Sequence, residues 1–69
     1  MERELSRKEI ASAKGYIVDS FRVGDSGWIE GWICGFTDSA HGYRNSEEVR
    51  EELFDLLIGL RDQKEEEER

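Results

Sequence analysis

The most constraining feature of the sequence is a regular apolar stripe in the segment that follows Asn45. Apolar residues recur there at intervals of three and four, the spacing that places side chains on one face of an α-helix. They are Val49, Leu53, Leu56, Leu57 and Leu60, with Phe54 and Ile58 beside them. Asn45 and Ser46 suit the N-cap position, and Glu48 follows Asn45 at the offset of a capping pair. We therefore predict an amphipathic helix over residues 46–62.

The middle of the chain has the composition of a β-hairpin. Residues 16–23 and 28–36 are rich in aromatic and β-branched side chains, which favour strands. Between them, residues 24–27 read Gly-Asp-Ser-Gly, which is typical of a four-residue turn. We therefore predict an antiparallel hairpin over residues 16–36, with the 46–62 helix packed across one of its faces.

The alternation of residues in this hairpin assigns most aromatic side chains to one face. Pairing Val23 with Trp28 gives a face composed of Ile17, Phe21, Val23, Trp28, Trp32, Cys34 and Phe36. Asp19 and Glu30 fall on the same face, and they oppose this register unless they lie at its rim. On the other face, Gly31 and Gly35 leave room for another backbone to approach closely.

Two interpretations of the N-terminal third remain open. Ser6 and Glu9 form the pattern of a capping box, and apolar residues at helical spacing follow them, which indicates one helix over residues 6–21. Those residues are Ile10, Ala13, Ile17 and Phe21. Gly15 inside such a helix costs about 1 kcal/mol relative to alanine. The preferred interpretation is a short helix at about 6–14 that ends near Gly15 and leads into the first strand.

Together these elements predict an α+β fold with a short N-terminal helix, an antiparallel hairpin and a C-terminal helix packed on the sheet. A third strand at about residues 41–44 is an additional option. The expected domain covers residues 1–62. Residues 63–69 contain no apolar side chain, and we expect a charged, frayed tail there. A chain of 69 residues buries only a thin core, so a deep pocket is not expected.

The charge is concentrated in the C-terminal third. The chain carries a formal net charge of −7, and residues 47–69 hold ten acids and four bases, a net charge of −6. Because acidic surfaces repel phosphate backbones, direct binding of nucleic acid is not expected. No apolar run approaches the roughly 18 residues needed to span a bilayer, and the first residues lack the pattern of a signal peptide. We expect a cytoplasmic protein that does not contact membranes.

The residue types of catalytic and metal sites are present without the spacing that such sites need. Asp38, Ser39 and His41 are neighbours in sequence, whereas a catalytic triad joins residues from separate elements. A single histidine with nearby carboxylates is also weak as a metal site. Cys34 is the single cysteine and is expected to be a small buried apolar residue. We therefore expect a protein that is not an enzyme and needs no cofactor or metal.

Two family resemblances bear on function. The segment Gly-Tyr-Arg-Asn-Ser-Glu-Glu-Val at 42–49, placed after a hairpin and opening an acidic helix, resembles the core of HicB-type antitoxin domains over about residues 16–60. That resemblance implies an antitoxin-like regulatory module. In general character the chain also resembles small phage-encoded inhibitors, notably anti-CRISPR proteins, which are short, acidic and single-domain. This resemblance implies an inhibitor whose carboxylates compete for a basic groove that otherwise holds nucleic acid.

The favoured hypothesis is thus a non-catalytic inhibitor that binds a basic surface of a nucleic-acid-handling protein. Its candidate contacts on the 46–62 helix are Glu47, Glu48, Glu51, Glu52 and Asp55. The alternative is that these acids only keep the protein soluble. Trp28 and Trp32 are assigned to the core, and they become candidate anchors for a partner if they prove to be exposed.

Self-association is a further expectation. Phe54, Ile58 and one face of the hairpin remain to be covered in a core this small, which favours a homodimer or ordering on a target. An antitoxin-like regulator and a small homodimeric structural protein are the alternative functions.

Overall fold

The computed structural model describes residues 3–67 and shows a helical protein. In this range the chain forms three α-helices, α1 (Arg7–Arg22), α2 (Ile29–Ser39) and α3 (Ser46–Glu67), and a short 3-10 turn at Ser26–Trp28 leads into α2. Pairing of extended segments within residues 3–67 is limited to one parallel bridge between Arg3 and Tyr43. The predicted α+β fold is therefore wrong, and the third strand at 41–44 is reduced to this bridge.

The predicted hairpin is wrong because both of its strands are helical. Residues 16–22 form the second half of α1, and residues 29–36 lie in α2. The segment at 24–27 does turn the chain, but it joins two helices. Gly24 has a positive φ of 93°, which glycine adopts without steric cost, and its N–H donates to the carbonyl of Phe21 at 3.3 Å.

The open alternative for the N-terminal third, one continuous helix, is confirmed in α1. The Ser6 hydroxyl accepts a hydrogen bond from the Glu9 N–H at 3.1 Å and donates to the Glu9 carboxylate at 3.2 Å. Ile17 is fully buried, and burying such a side chain contributes about 2 kcal/mol. This outweighs the cost of about 1 kcal/mol for Gly15 in the helix interior. Asp19 and Glu30, which opposed the hairpin register, are both exposed on helices.

Helix α3 begins at Ser46 as predicted and continues to Glu67, beyond the predicted end at 62. Its predicted apolar stripe is confirmed as core, since Val49, Leu53 and Leu57 are buried and Leu56 and Leu60 are partly buried. Residues 63–67 of the predicted tail are helical with exposed side chains, and residues 68–69 lie outside the described range. Fraying of this end in solution stays a prediction.

The side-chain hydrogen bonds of Asn45 go to Leu5, and not to the first turn of α3 as the capping pattern predicted. Its side-chain carbonyl accepts the Leu5 N–H at 2.8 Å, and its amide donates to the Leu5 carbonyl at 3.2 Å. The Arg44 N–H also donates to the Arg3 carbonyl at 2.6 Å. The segment before α1 is thereby fixed beside the segment before α3, which brings Leu5 into the core.

The core lies along α3, which packs against both α1 and α2. It consists of Leu5, Ala13, Ile17, Ile29, Ile33, Ala40, Val49, Leu53 and Leu57. Thr37 is buried among them, and its hydroxyl donates to the carbonyl of Ile33 at 2.9 Å, so that its polar group is satisfied. Because α1 and α2 both cover the same side of α3, its opposite side is left to solvent or to a partner.

Candidate functional site

The solvent side of α3 carries a row of carboxylates that is interrupted between Asp55 and Asp62, here called the acidic face. At 100° per residue, eight exposed acids of α3 fall on the side opposite its buried residues. They are Glu47, Glu48, Glu51, Glu52, Asp55, Asp62, Glu65 and Glu66. From Glu47 to Glu66 the row is about 28 Å long at 1.5 Å per residue. All five acids predicted as partner contacts belong to it.

The basic residues that the described part of α3 contains all lie on the other side of the helix. The Arg61 guanidinium pairs with Glu30 of α2 at 2.7 Å. The Arg50 guanidinium donates to the Cys34 thiol of α2 at 3.5 Å. The Lys64 ammonium lies 5.6 Å from the ring centroid of Phe21 in α1. The acidic face therefore keeps its negative charge undiluted by bases of its own helix.

One member of the acidic face has a partner across the bundle. The Lys14 ammonium of α1 lies 3.6 Å from the Glu52 carboxylate, and both side chains are about half exposed. An exposed pair of this kind contributes less than about 1 kcal/mol to stability. Glu52 thus lies at the edge of the acidic face, whereas Glu51, Asp55 and Asp62 lie near its centre.

An apolar side chain interrupts the acidic face. Ile58 is 53% exposed and falls between the rows of carboxylates by helical position. Gly59 follows it, and a Cβ at that position would meet no atom within 4 Å. The neighbouring backbone is therefore open to close approach by a partner. Phe54, the other residue predicted to lie beside the stripe, is partly buried against the core.

The second candidate surface, here called the aromatic face, is formed by Tyr16, Trp28, Trp32 and Phe36. The rings of Tyr16 and Trp32 stack at a centroid distance of 4.5 Å, and those of Trp32 and Phe36 stack at 5.3 Å. A shallow depression of about 520 Å³ between α1 and α2 is lined by three of these rings and by α1 residues, without any residue of α3. The aromatic face therefore lies away from the acidic face.

The assignment to the core is wrong for Trp28, whereas Trp32 is partly buried and packs against the core. Trp28 is 77% exposed, and Trp32 is only half-buried beneath Tyr16. The prediction that exposed tryptophans would become anchors for a partner remains untested. The hairpin register placed Phe36 on the same face as the tryptophans but assigned Tyr16 to the opposite face, so the contact of Tyr16 with Trp32 was missed. The helical spacing of four between Trp28, Trp32 and Phe36 is the signal that finds this row.

The thiol of Cys34 is half-buried rather than part of the core. The hydrogen bond to Cys34, together with the electrostatic effect of the same thiol, raises the pKa of the exposed Arg50 guanidinium above its ordinary value. Arginine is charged at every physiological pH in any case, so this shift produces no pH-dependent switch. The contact serves to hold Arg50 against α2.

The residues that supply the types of a catalytic triad are not assembled into one. The Ser39 hydroxyl donates to the carbonyl of Phe36 at 2.7 Å, within its own helix. His41 and Asp38 line a shallow open depression of about 300 Å³ near the start of α3. Over residues 3–67, no group of three or more His, Cys, Asp or Glu side chains is arranged to hold a metal ion.

No family model, no curated protein and no solved structure matches the chain. None of the helices within residues 3–67 combines the length and apolar character needed to cross a membrane. The kind of protein is therefore defined by the described fold and surfaces alone. It is a small helical protein with an acidic face along α3 and an aromatic face on the α1 and α2 side.

Proposed function

We propose that this chain is a non-catalytic, protein-binding inhibitor whose acidic face covers a basic nucleic-acid-binding surface of its target. The observation that carries the proposal is the separation of charge on α3. Eight carboxylates point outward, while Arg50, Arg61 and Lys64 are held against α1 and α2. Charge that served solubility alone would not require this separation.

The dimensions of the acidic face support competition with nucleic acid. Five carboxylates from Glu47 to Asp55 lie within about 12 Å and three from Asp62 to Glu66 lie within about 6 Å. Within each group this is about one charge per 3 Å, close to the spacing of about 3.4 Å per phosphate along one DNA strand, and about 10 Å without a carboxylate separates the two groups. Over residues 47–55 the helix is held against the core, so its five carboxylates are presented without the entropic cost of ordering a flexible segment. A groove whose lysines and arginines neutralise phosphates can therefore accept this face instead.

Ile58 gives the proposed contact an anchor that phosphate groups lack. A single exposed isoleucine is common on protein surfaces, but this one lies inside a strongly charged row beside the open backbone of Gly59. Burial of Ile58 in the target would add binding energy that salt does not screen. The role would place the protein in the cytoplasm, where nucleic-acid-handling proteins act.

The resemblance to HicB-type domains gives no comparable support. It was carried by a hairpin that precedes an acidic helix, and residues 16–36 form helices instead. The antitoxin alternative therefore has no support from the fold. The general likeness to small acidic phage inhibitors agrees with the proposed mechanism but assigns no residue.

The proposal is tested by affinity capture from bacterial lysate with two variants of equal charge. The first changes the acidic face through Glu48→Gln, Glu51→Gln and Asp55→Asn. The second, matched control changes three exposed acids elsewhere: Asp19→Asn, Asp25→Asn and Asp38→Asn. Each variant removes three negative charges and changes the net charge from −7 to −4. Neither set includes Glu52, because it pairs with Lys14.

The expected result is a captured nucleic-acid-binding protein that the control variant retains and the acidic-face variant loses. Added duplex DNA or RNA should release it, because the nucleic acid and the acidic face compete for one surface. A partner that both variants retain equally, or that nucleic acid does not displace, would contradict the proposal. In that case the acidic face is a solvated surface.

A further inference from the structure

The last two turns of α3 extend beyond the core. Leu57 is buried and Leu60 is partly buried against the core, whereas every side chain from 61 to 67 is exposed. The segment 61–67, here called the distal segment, carries three members of the acidic face: Asp62, Glu65 and Glu66. These three carboxylates continue the row of the other five only while the distal segment stays helical.

The charge of the distal segment opposes a helix. Glu65, Glu66 and Glu67 occupy the last described turn of α3, where the helix dipole is negative and disfavours carboxylates. Asp62 and Glu66 are spaced by four, so two like charges are neighbours on the helix surface. Helix ends also open at little cost. Contacts with the other helices therefore weigh heavily in whether this segment stays helical.

Two bases connect the distal segment to the other helices. The Arg61 guanidinium lies 2.7 Å from the Glu30 carboxylate in the first turn of α2. The Lys64 ammonium lies 5.6 Å from the ring centroid of Phe21 in the last turn of α1, within the range of a cation–π interaction. A shallow depression of about 210 Å³ joins the two contacts, and it is lined by Phe21, Ser26, Arg61, Lys64 and Glu65. The distal segment is thus held at two points.

The strength of these contacts matches the equilibrium that they control. The side chains of Arg61 and Glu30 are both about half exposed, so water and salt weaken their attraction. An exposed ion pair or cation–π contact changes a local equilibrium by about two- to fivefold. Such contacts are too weak to hold a core together, but they shift a helix end that opens at little cost.

We propose that Arg61 and Lys64 act as a clasp that positions the distal segment and decides whether the acidic face has five or eight aligned carboxylates. When both contacts are formed, α3 is helical to Glu67. When they open, the distal segment frays and the aligned carboxylates end at Asp55. A binding role for the distal carboxylates rests on the proposed function, whereas the clasp is a property of the free chain.

The Cα chemical shifts of residues 62–67 in the free chain test the clasp, because they report the ratio of helical to frayed conformers. Glu30→Gln removes the carboxylate that Arg61 contacts, and Phe21→Leu removes the ring but keeps an apolar side chain. Each substitution should lower this ratio about two- to fivefold, and the two together about tenfold. The matched control, Asp38→Asn, removes another exposed carboxylate of α2 and should leave the ratio unchanged.

Three further measurements separate the clasp from general effects on stability. Glu66→Gln removes a like charge from the helix end and should raise the ratio, the direction opposite to Glu30→Gln. Arg61→Gln should change the ratio little when Glu30→Gln is already present, since both substitutions break the same pair. Amide exchange at 53–57 should stay slow in Glu30→Gln, because the core is not part of the clasp.

An unchanged ratio in the double variant Glu30→Gln, Phe21→Leu would overturn the clasp, and so would an equal loss in Asp38→Asn. The proposed function would survive either result, because both are measured without a target. With the clasp present, the captured target should bind the double variant about two- to fivefold more weakly than the control. Equal affinity for both, despite a lowered ratio, would exclude the distal carboxylates from the binding site and restrict it to residues 47–55.

Discussion

At the scale of single residues, Asn45 makes the most consequential polar contacts. Its side chain both accepts from and donates to the backbone of Leu5, forty residues earlier in the chain. The bridge between Arg3 and Tyr43 lies directly beside these contacts. Leu5 is 6% exposed as a result and closes one end of the core. A residue that suits a helix cap thus joins the segments that precede α1 and α3.

Two substitutions of Asn45 distinguish the contributions of its two hydrogen bonds to stability. Asn45→Ala removes both, and we expect the free energy of unfolding to fall by about 1–3 kcal/mol, because two partly buried backbone groups lose their partners. Asn45→Asp keeps the acceptor for the Leu5 N–H and should preserve the slow exchange of that amide. Urea unfolding and amide hydrogen exchange measure the two effects. Unchanged stability in Asn45→Ala would contradict the role assigned to this side chain.

At the scale of elements, α3 was predictable because its signals agree. The apolar stripe and the acidic first turn indicate the same helix, and the start at Ser46 follows from both. Its end was misjudged, since the charged residues after Leu60 offer no apolar anchor. Those residues are nevertheless good helix formers, and they continue the helix to Glu67. Two of them, Glu65 and Glu66, extend the acidic face beyond the predicted contacts.

The hairpin was mispredicted because local composition and long-range packing favour different structures. Tyr16, Trp28 and Trp32 have strand-forming side chains, and Gly-Asp-Ser-Gly has the composition of a hairpin turn. Strand propensity depends strongly on context, and here burial against α3 decides the outcome. The helical spacing of Ile10, Ala13, Ile17 and Phe21 correctly indicated a helix. Asp19 and Glu30, which the hairpin register placed on the apolar face, argued against the hairpin.

Two glycines provide a test of where α1 continues and where it stops. Gly15 lies inside the helix with open space at its Cβ position, so Gly15→Ala should raise the free energy of unfolding by up to about 1 kcal/mol. Gly24 has φ +93°, and Gly24→Ala should lower the free energy of unfolding by about 1 kcal/mol or more. Thermal or urea denaturation of the two variants measures this difference. Equal effects of both substitutions would contradict the boundaries of α1.

The last turns of α3 should be less stable than its centre. Side chains at 61–67 are exposed, and none of them adds to the core that Val49, Leu53 and Leu57 form. Local openings at this end therefore cost little free energy. Amide hydrogen exchange should be slow at 53–57 and should rise steeply after residue 61. Uniform protection to Glu67 would show that an additional contact, such as a second chain, covers this end.

At the scale of the whole molecule, the chain is elongated, with extents of 49 × 17 × 16 Å. The long dimension reflects α3, whose 22 residues extend over about 33 Å. The acidic face follows this axis, and the aromatic face lies beside α1 and α2.

The central claim, that the acidic face binds a basic surface, is tested most directly by the salt dependence of binding. The affinity of the captured target is measured at about 50 and 300 mM salt for the wild type, the acidic-face variant and the charge-matched control. We expect the wild type and the control to lose affinity with salt, chiefly through slower association. The acidic-face variant should bind weakly and with a shallower dependence. Equal affinity for all three proteins at both salt concentrations would contradict the claim.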